Sequence, residues 1–332
     1  MLCAVSSNLH IITAEVEILI MAKAKEIIGL DCAAPVLERA AEVLRVRLDE
    51  VANLRDAALD FSDIEGVHNM RVATRRLRSA LRDYTPFMNQ RLPKQLRKEL
   101  KQLADALGAV RDEDVAIVAL EALQLEADKI EHIKAGIGKL LKERSEARDA
   151  ARTNLTEALA AHHLDDLRVR FSAAIDKMAT RKKSKRAVSF NEAGREVVAD
   201  GLQDLLDLGA SLYEPFKTEE LHEMRIAAKR LRYAIELFVA CWGTQIAPFA
   251  AEIADMQSFL GEVHDSDIWI ESLGKRLRHG QQNTSGNDYQ TAAWLLSEFV
   301  KKRTKEYRSA LKLWSEWETN RFAERMRAMI QA

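Results

Sequence analysis

Along most of this chain apolar residues recur at steps of three and four, the spacing of one buried helix face. From Pro35 the run VLERAAEVLRVRLDEVANLRDAAL reads as a helix to about Leu59, with proline in the first turn where it is tolerated. Asp60 to Gly66 reads as a turn, and the next helix stops near Pro86. In LPKQLRKELKQLADALGAV, Leu96, Leu100, Leu103 and Leu107 keep helical spacing; Gly108 weakens the end, and Asp112 suits the N-cap of a following helix, DEDVAIVALEAL. A long pattern from Glu126 to Ala161 carries interleaved charges (ERSEARDAAR). In the second half the spacing predicts helices near 190–213, 219–242, 246–262, 266–278 and 288–330, with 280–288 a loop by composition.

One helix departs from the ordinary pattern. VHNMRVATRRLRSALR, Val67 to Arg82, holds five arginines, one histidine and no carboxylate. At about 100° per residue, His68, Arg71, Arg75, Arg78 and Arg82 fall within a sector roughly 80° wide. Met70, Ala73, Leu77, Ala80, Leu81 and Tyr84 take the opposite side. Like charges stacked this way cost about 0.2–0.5 kcal/mol per pair, and a solvated face relieves that with Glu. Here none is interposed, so an anion is expected on the stripe. Arg76 lies off the stripe axis, toward its flank.

The pattern then recurs. LHEMRIAAKRLR, Leu221 to Arg232, aligns with VHNMRVATRRLR at an offset of 154 residues. His222, Arg225, Lys229 and Arg232 take the places of His68, Arg71, Arg75 and Arg78, and Arg230 that of Arg76. LGAVRDEDV (Leu107 to Val115) likewise matches LGEVHDSDI (Leu260 to Ile268) at an offset of 153. Two matches in the same order at nearly one offset make the chain a tandem duplication.

The HxMRxxxRRLR helix followed by LGxxRDxDV, then repeated, resembles the CHAD domain, the α-helical domain named for its histidine. The resemblance covers about residues 35 to 330. It implies an all-α fold of two tandem pseudo-symmetric helical bundles facing a basic central groove or channel. It also implies binding of inorganic polyphosphate, at His68, Arg71, Arg75, Arg76, Arg78, Arg82, His222, Arg225, Lys229, Arg230 and Arg232. The corresponding organisation is an N-terminal extension (1–34), a first repeat (35–180), a basic linker (181–188, including RKKSKR) and a second repeat (189–332).

Composition narrows the alternatives. Lys and Arg number 50 against 51 Asp and Glu, so the molecule is no generic polyanion binder and its cations count by arrangement. Few prolines (5) and glycines (13) suit an all-helical protein. The three cysteines are far apart, with no CxxC, which argues against a zinc site or disulfide framework and for a reducing compartment. No apolar run reaches the ~18 residues of a membrane span. Met21 opens a second plausible start, and the segment before it lacks a basic n-region. A cytoplasmic protein, associated with polyphosphate granules, is the expectation.

Secondary contacts are expected from Arg97, Lys101 and Arg111 in the first half and from Lys301, Lys305, Arg308 and Lys312, another one-sided row, in the second. The helix after the first stripe is rich in Arg and Lys, whereas TQIAPFAAEIADMQSFLGEV has no basic residue. His264-Asp265-Ser266-Asp267 invites a metal reading, but the other copy has Arg111 in place of the histidine. Helix capping explains both copies better, and no metal or cofactor is expected. There is no Gly-rich phosphate loop and no HExxH, so the function read here is non-enzymatic. The alternative is a single-stranded RNA or DNA binder. Such proteins place aromatic rings among the cations, and neither stripe does so.

Overall fold

The computed structural model describes Ile27 and residues 30–88, 90–179, 188–280 and 286–332. The basic run at 181–186 and most of the expected N-terminal extension lie outside the described residues, as does most of the 280–288 loop. Among the described residues there is no strand; one isolated bridge joins Pro35 to Ser189. The chain is all-α. Its helices are α1 (Val36–Asn53), α2 (Arg55–Leu59), α3 (Ile64–Tyr84), α4 (Lys94–Glu126), α5 (Glu131–Ala158), α6 (Ala161–Ala179), α7 (Phe190–Asp207), α8 (Thr218–Phe238), α9 (Ala247–Gly280), α10 (Gly286–Thr319) and α11 (Phe322–Gln331).

Local chemistry sets several of these ends. Asp63 caps α3 by accepting from the Glu65 N–H, and Ser189 with Glu192 forms a reciprocal capping box at α7. Two expected breaks do not occur: α4 runs through Gly108 and Asp112, and α9 runs through 262–266. A mid-helix glycine costs about 1 kcal/mol. The buried Leu103, Leu107, Val110, Ile117 and Leu120 on both sides of Gly108 contribute about 1.5–3 kcal/mol each, so packing wins. In α9 the Ser266 hydroxyl donates back to the Glu262 carbonyl at 2.7 Å, a mid-helix bond and not a cap. The last expected helix is instead divided at Arg321, which adopts a left-handed φ of 53° between α10 and α11.

The face of α3 assigned to the core is buried: Met70, Ala73, Leu77, Ala80, Leu81 and Tyr84 are each at most 8 % exposed. Helix α8 buries Leu221, Met224, Ala228, Leu231, Ile235 and Phe238 in the same apolar cluster. One core therefore runs through both halves of the chain. Its aromatic centre is Tyr84, Phe190 and Phe238, with ring centroids 4.8–6.2 Å apart. A second, smaller core joins the far tips of two long hairpins, α4–α5 and α9–α10, through Leu120, Ile133, Ile137, Leu273, Leu295 and Phe299. Helix α3 packs on α4 and α8, α4 on α5, α5 on α10, α10 on α9, and α9 on α8. These six helices close a ring, with α3 and α8 at one side and the tips at the other.

The entry of α3 needs glycine. A Cβ on Gly66 would lie 1.9 Å from the Ala57 carbonyl oxygen in α2, which is backbone and cannot swing aside. Gly66→Ala should therefore destabilise the protein by about 1–3 kcal/mol. Gly261 has nothing within 4 Å of its built Cβ, so Gly261→Ala in mid-helix should stabilise by about 0.5–1 kcal/mol. Opposite shifts of the urea midpoint at constant slope would show both.

Candidate anion-binding cleft

Because α3 and α8 bury their apolar faces in one core and also touch each other, their polar faces open on a common space. A cleft of about 750 Å³ lies there. Arg71, Arg75, Arg78 and Arg82 line it from α3, Lys229 and Arg230 from α8, and Gly108 and Asp112 from α4. Gly108 approaches the Arg71 guanidinium, whose Nε is 3.9 Å from its built Cβ. The absent side chain leaves that face of α4 low and Arg71 reachable.

Carboxylates compensate only part of this charge. Asp112 stands 3.7 Å from Arg71, and Arg82 is held in two bonds, of 2.7 and 3.0 Å, by its neighbour Asp83. Among the described residues, Arg75, Arg78, Arg225 and Lys229 have no carboxylate within ion-pairing distance. His68 Nδ1, Arg75 Nε and Arg225 Nε are buried with no hydrogen-bond partner. Buried donors are ordinarily bonded, so the two arginine Nε–H groups suit an acceptor from outside, and His68 Nδ1 joins them in the tautomer that carries its proton there.

Burial and mutual repulsion together disfavour the charged forms of these groups. Burial, then Arg225, Arg75 and Arg71, pushes the Lys229 ammonium down to about 8. Burial, then Arg111, Arg75 and Arg71, pushes His68 down to about 4. Arg71 and Arg225 are lowered too, first by burial, with Arg75 repelling both. Cations of α3 and α8 thus act on one another across the cleft. The protein alone holds its site histidines neutral at pH 7.

Other candidates fall into place unequally. Arg76, only 6 % exposed, turns from the cleft into the α3–α8 contact, with Nε 2.5 Å from Glu236 and Nη1 3.8 Å from Glu50. Arg232 is also buried; its Nε donates to Gln257 at 2.8 Å and its guanidinium lies 4.7 Å from the Tyr233 ring centre. Arg111 reaches His68 electrostatically, whereas Arg97 is exposed and Lys101 pairs with Asp105. The row on α10 is interlaced with acid: Lys301 pairs with Glu298, Lys305 with Glu306 and Lys312 with Glu316. Arg308 is exposed beside them, and none of the four lines the cleft.

Sequence reasoning missed His264 and Tyr233. His264 Nδ1 sits 3.0 Å from His222 Nδ1, so one ring presents N–H and the other a bare nitrogen. Burial, then Arg225, pushes His264 down to about 4. A signal was present, because position 264 aligns with Arg111, itself a candidate. Tyr233 lies beneath Arg75, whose guanidinium is 5.2 Å from the ring centre. Its partner in the first copy is Ser79, so the alignment carried no hint of it. The expected capping by the acidic segments does not occur either. Asp267 binds Arg303 of α10 at 2.5 Å, and buried Asp114 faces Arg148 and Arg152 of α5 at 3.6 and 4.0 Å. These carboxylates brace each hairpin. Among the described residues no group of three or more metal-ligating side chains comes together.

The whole defines a class: an all-helical protein with a cationic cleft at the meeting of two related helices. The family model of the CHAD domain matches residues 42–274, and the chain belongs to that family. It is 29 % identical over 243 residues to "Uncharacterized protein Rv2226" of Mycobacterium tuberculosis (strain H37Rv), a match covering 71 % of this chain and 44 % of that protein. The chain thus matches less than half the length of that relative. Among solved structures, the CHAD domain from the plant Ricinus communis superposes with a TM-score of 0.71 at 22 % identity, covering 89 % of this chain and 95 % of that one. PptA from Streptomyces chartreusis gives 0.63 at 12 % identity, covering 85 % and 100 %. At these identities the likeness is one of fold.

The depressed histidines make stability pH-dependent. A histidine with a folded pKa near 4, against about 6.5 unfolded, binds fewer protons folded than unfolded between those values. Its contribution is complete above about pH 6.5 and is lost as pH falls toward 4. Denaturant unfolding of His68→Gln and His264→Gln across that window should show a shallower loss of stability than the parent. An equal slope would place the rings in solvent.

Proposed function

We propose that this protein binds inorganic polyphosphate without chemically altering it, holding the chain in the cleft between α3 and α8. The observation that supports this reading is the set of cations with no carboxylate within ion-pairing distance among the described residues, Arg75 and Arg78 of α3 and Lys229 of α8, brought together around one cleft, with the Arg75 Nε–H buried and unbonded. Polyphosphate bears about one negative charge per phosphoryl unit, and successive units lie a few ångströms apart. Helix positions i, i+4 and i+7 advance about 6 and 10.5 Å. Arg71, Arg75 and Arg78 can therefore meet successive phosphoryl groups, and arginine's planar fork can grip two oxygens of one group. Such contacts read charge and spacing, which suits storing, localising or sensing the polymer in a cytoplasmic setting. His68, His222 and His264 add ring donors. The resemblance seen in the motifs and the family membership support the same ligand. Tyr233, beside the stripe on α8, is 3 % exposed beneath Arg75, so its ring offers no face for a base to stack on.

Replacing Arg71, Arg75 and Arg78 together by Ala should weaken binding at least about 100-fold, since each charge-assisted bond is worth about 1.5–3 kcal/mol. Circular dichroism should stay helical. Unchanged affinity in a folded triple variant would end the proposal. Single-stranded RNA should fail to displace polyphosphate at equal charge concentration, and efficient displacement would favour the nucleic-acid reading.

Binding should also take up protons. An anion in the cleft raises Lys229 above about 8, so affinity should fall as pH climbs through 8. It raises His68 and His264 above about 4, so affinity should grow as pH drops from about 6 toward 4. Calorimetry in two buffers of different ionisation enthalpy at about pH 8.5 would count the protons. No difference between buffers would show that Lys229 does not feel the ligand.

A further inference from the structure

Cys32 and Cys241 are far apart in the chain and together in the fold. Cys32 lies just before α1, in a segment fastened to the start of α7: the Asn191 N–H donates to the Cys32 carbonyl and the Phe190 N–H to the Ala34 carbonyl, each at 2.9 Å, and the Val36 N–H donates to the Val188 carbonyl at 3.0 Å. Cys241 closes the short 3₁₀ turn Val239–Cys241 that follows α8. The two sulfur atoms are 2.8 Å apart, inside ordinary non-bonded contact. Both thiols are partly exposed and rest against the main core. A disulfide needs a separation of about 2.05 Å, so closure takes a shift of less than about 1 Å.

We propose that Cys32 and Cys241 form a reversible redox pair that closes to a disulfide on exchange with a small-molecule disulfide. Burial, then the Cys32 thiol itself, pushes the Cys241 thiol up, leaving it protonated and a poor first nucleophile. The Cys32 thiolate attacks one sulfur of the oxidant and expels one thiolate, giving a mixed disulfide at Cys32. Cys241 then loses its proton and attacks the Cys32 sulfur, expelling the second thiolate. Two protein thiols are oxidised and one disulfide molecule is reduced to two thiols. The bridge would close the chain from residue 32 to 241, binding the entry of α1 to the end of α8 behind the cationic cleft. A loop of that length restricts the unfolded chain strongly, so the closed form should be the more heat-resistant.

Oxidised glutathione, titrated against the full chain, tests this. The expected result is loss of two of the three thiols, a peptide linking Cys32 to Cys241, a higher Tm, and full reversal by dithiothreitol. Cys241→Ser should trap glutathione on Cys32, whereas Cys32→Ser should leave Cys241 largely unmodified. Cys3→Ser should behave as the parent. Persistent alkylation of both thiols after oxidation, a bridge to Cys3, or crosslinks only between molecules would overturn the proposal. So would glutathione accumulating on Cys241 in the Cys32→Ser variant.

Discussion

Apolar burial forces like charges together, and most of this structure follows from that opposition. Met70, Leu77 and Tyr84 on α3 and Met224, Leu231 and Phe238 on α8 are all fully buried in one core. With those faces fixed, Arg71, Arg75, Arg78 and Arg82 of α3 and Lys229 and Arg230 of α8 are brought around one shared cleft. Each fully buried side chain of this size contributes about 1.5–3 kcal/mol, whereas a like-charge pair near the surface costs a few tenths. Packing therefore outweighs repulsion and stores it. Burial first, and the neighbouring arginines after it, leave the Lys229 ammonium easier to deprotonate than an exposed lysine.

Carboxylates temper the crowding without abolishing it. Glu236 and Glu50 hold Arg76 where α3 meets α8, and Asp83 holds Arg82 at the cleft's edge. Arg76 is buried, and breaking a buried ion pair on one side typically costs about 3–5 kcal/mol, so Glu236 secures the frame there. The cations deeper in the cleft keep their charge unspent. Two roles are thus divided among arginines only a few residues apart, and the division depends on which helix face each occupies.

Much of this was legible in the sequence, and what was not has physical causes. The helix periods and the core face of α3 follow from spacing alone, because burial on a helix is a 3.6-residue pattern. The repeated motif located both stripe helices. Spacing put Arg76 on the flank of the stripe but could not show whether it reaches the cleft, since that depends on Glu236, far along the chain. Nor could it show that Gly108 and Asp112 sit mid-helix, because local preferences of about 1 kcal/mol yield to tertiary packing. His264 was within reach through its alignment with Arg111, but a histidine beside two aspartates draws attention to metals before it suggests a neighbouring ring. The row on α10 is one-sided by spacing, yet Glu298, Glu306 and Glu316 pair with its lysines, because side chains reach acids that lie off the row.

The ring of six helices is fastened unevenly. On the α3–α8 side the halves share the large core. At the hairpin tips they meet through a small apolar cluster, a close approach of Gly136 to Thr291, and exposed pairs such as Lys139–Asp288 and Glu143–Arg276. Exposed pairs of this kind are worth about 0–1 kcal/mol. The tips thus join the two hairpins through an apolar cluster separate from the main core, so parting them would leave the burial of Tyr84, Phe190 and Phe238 intact.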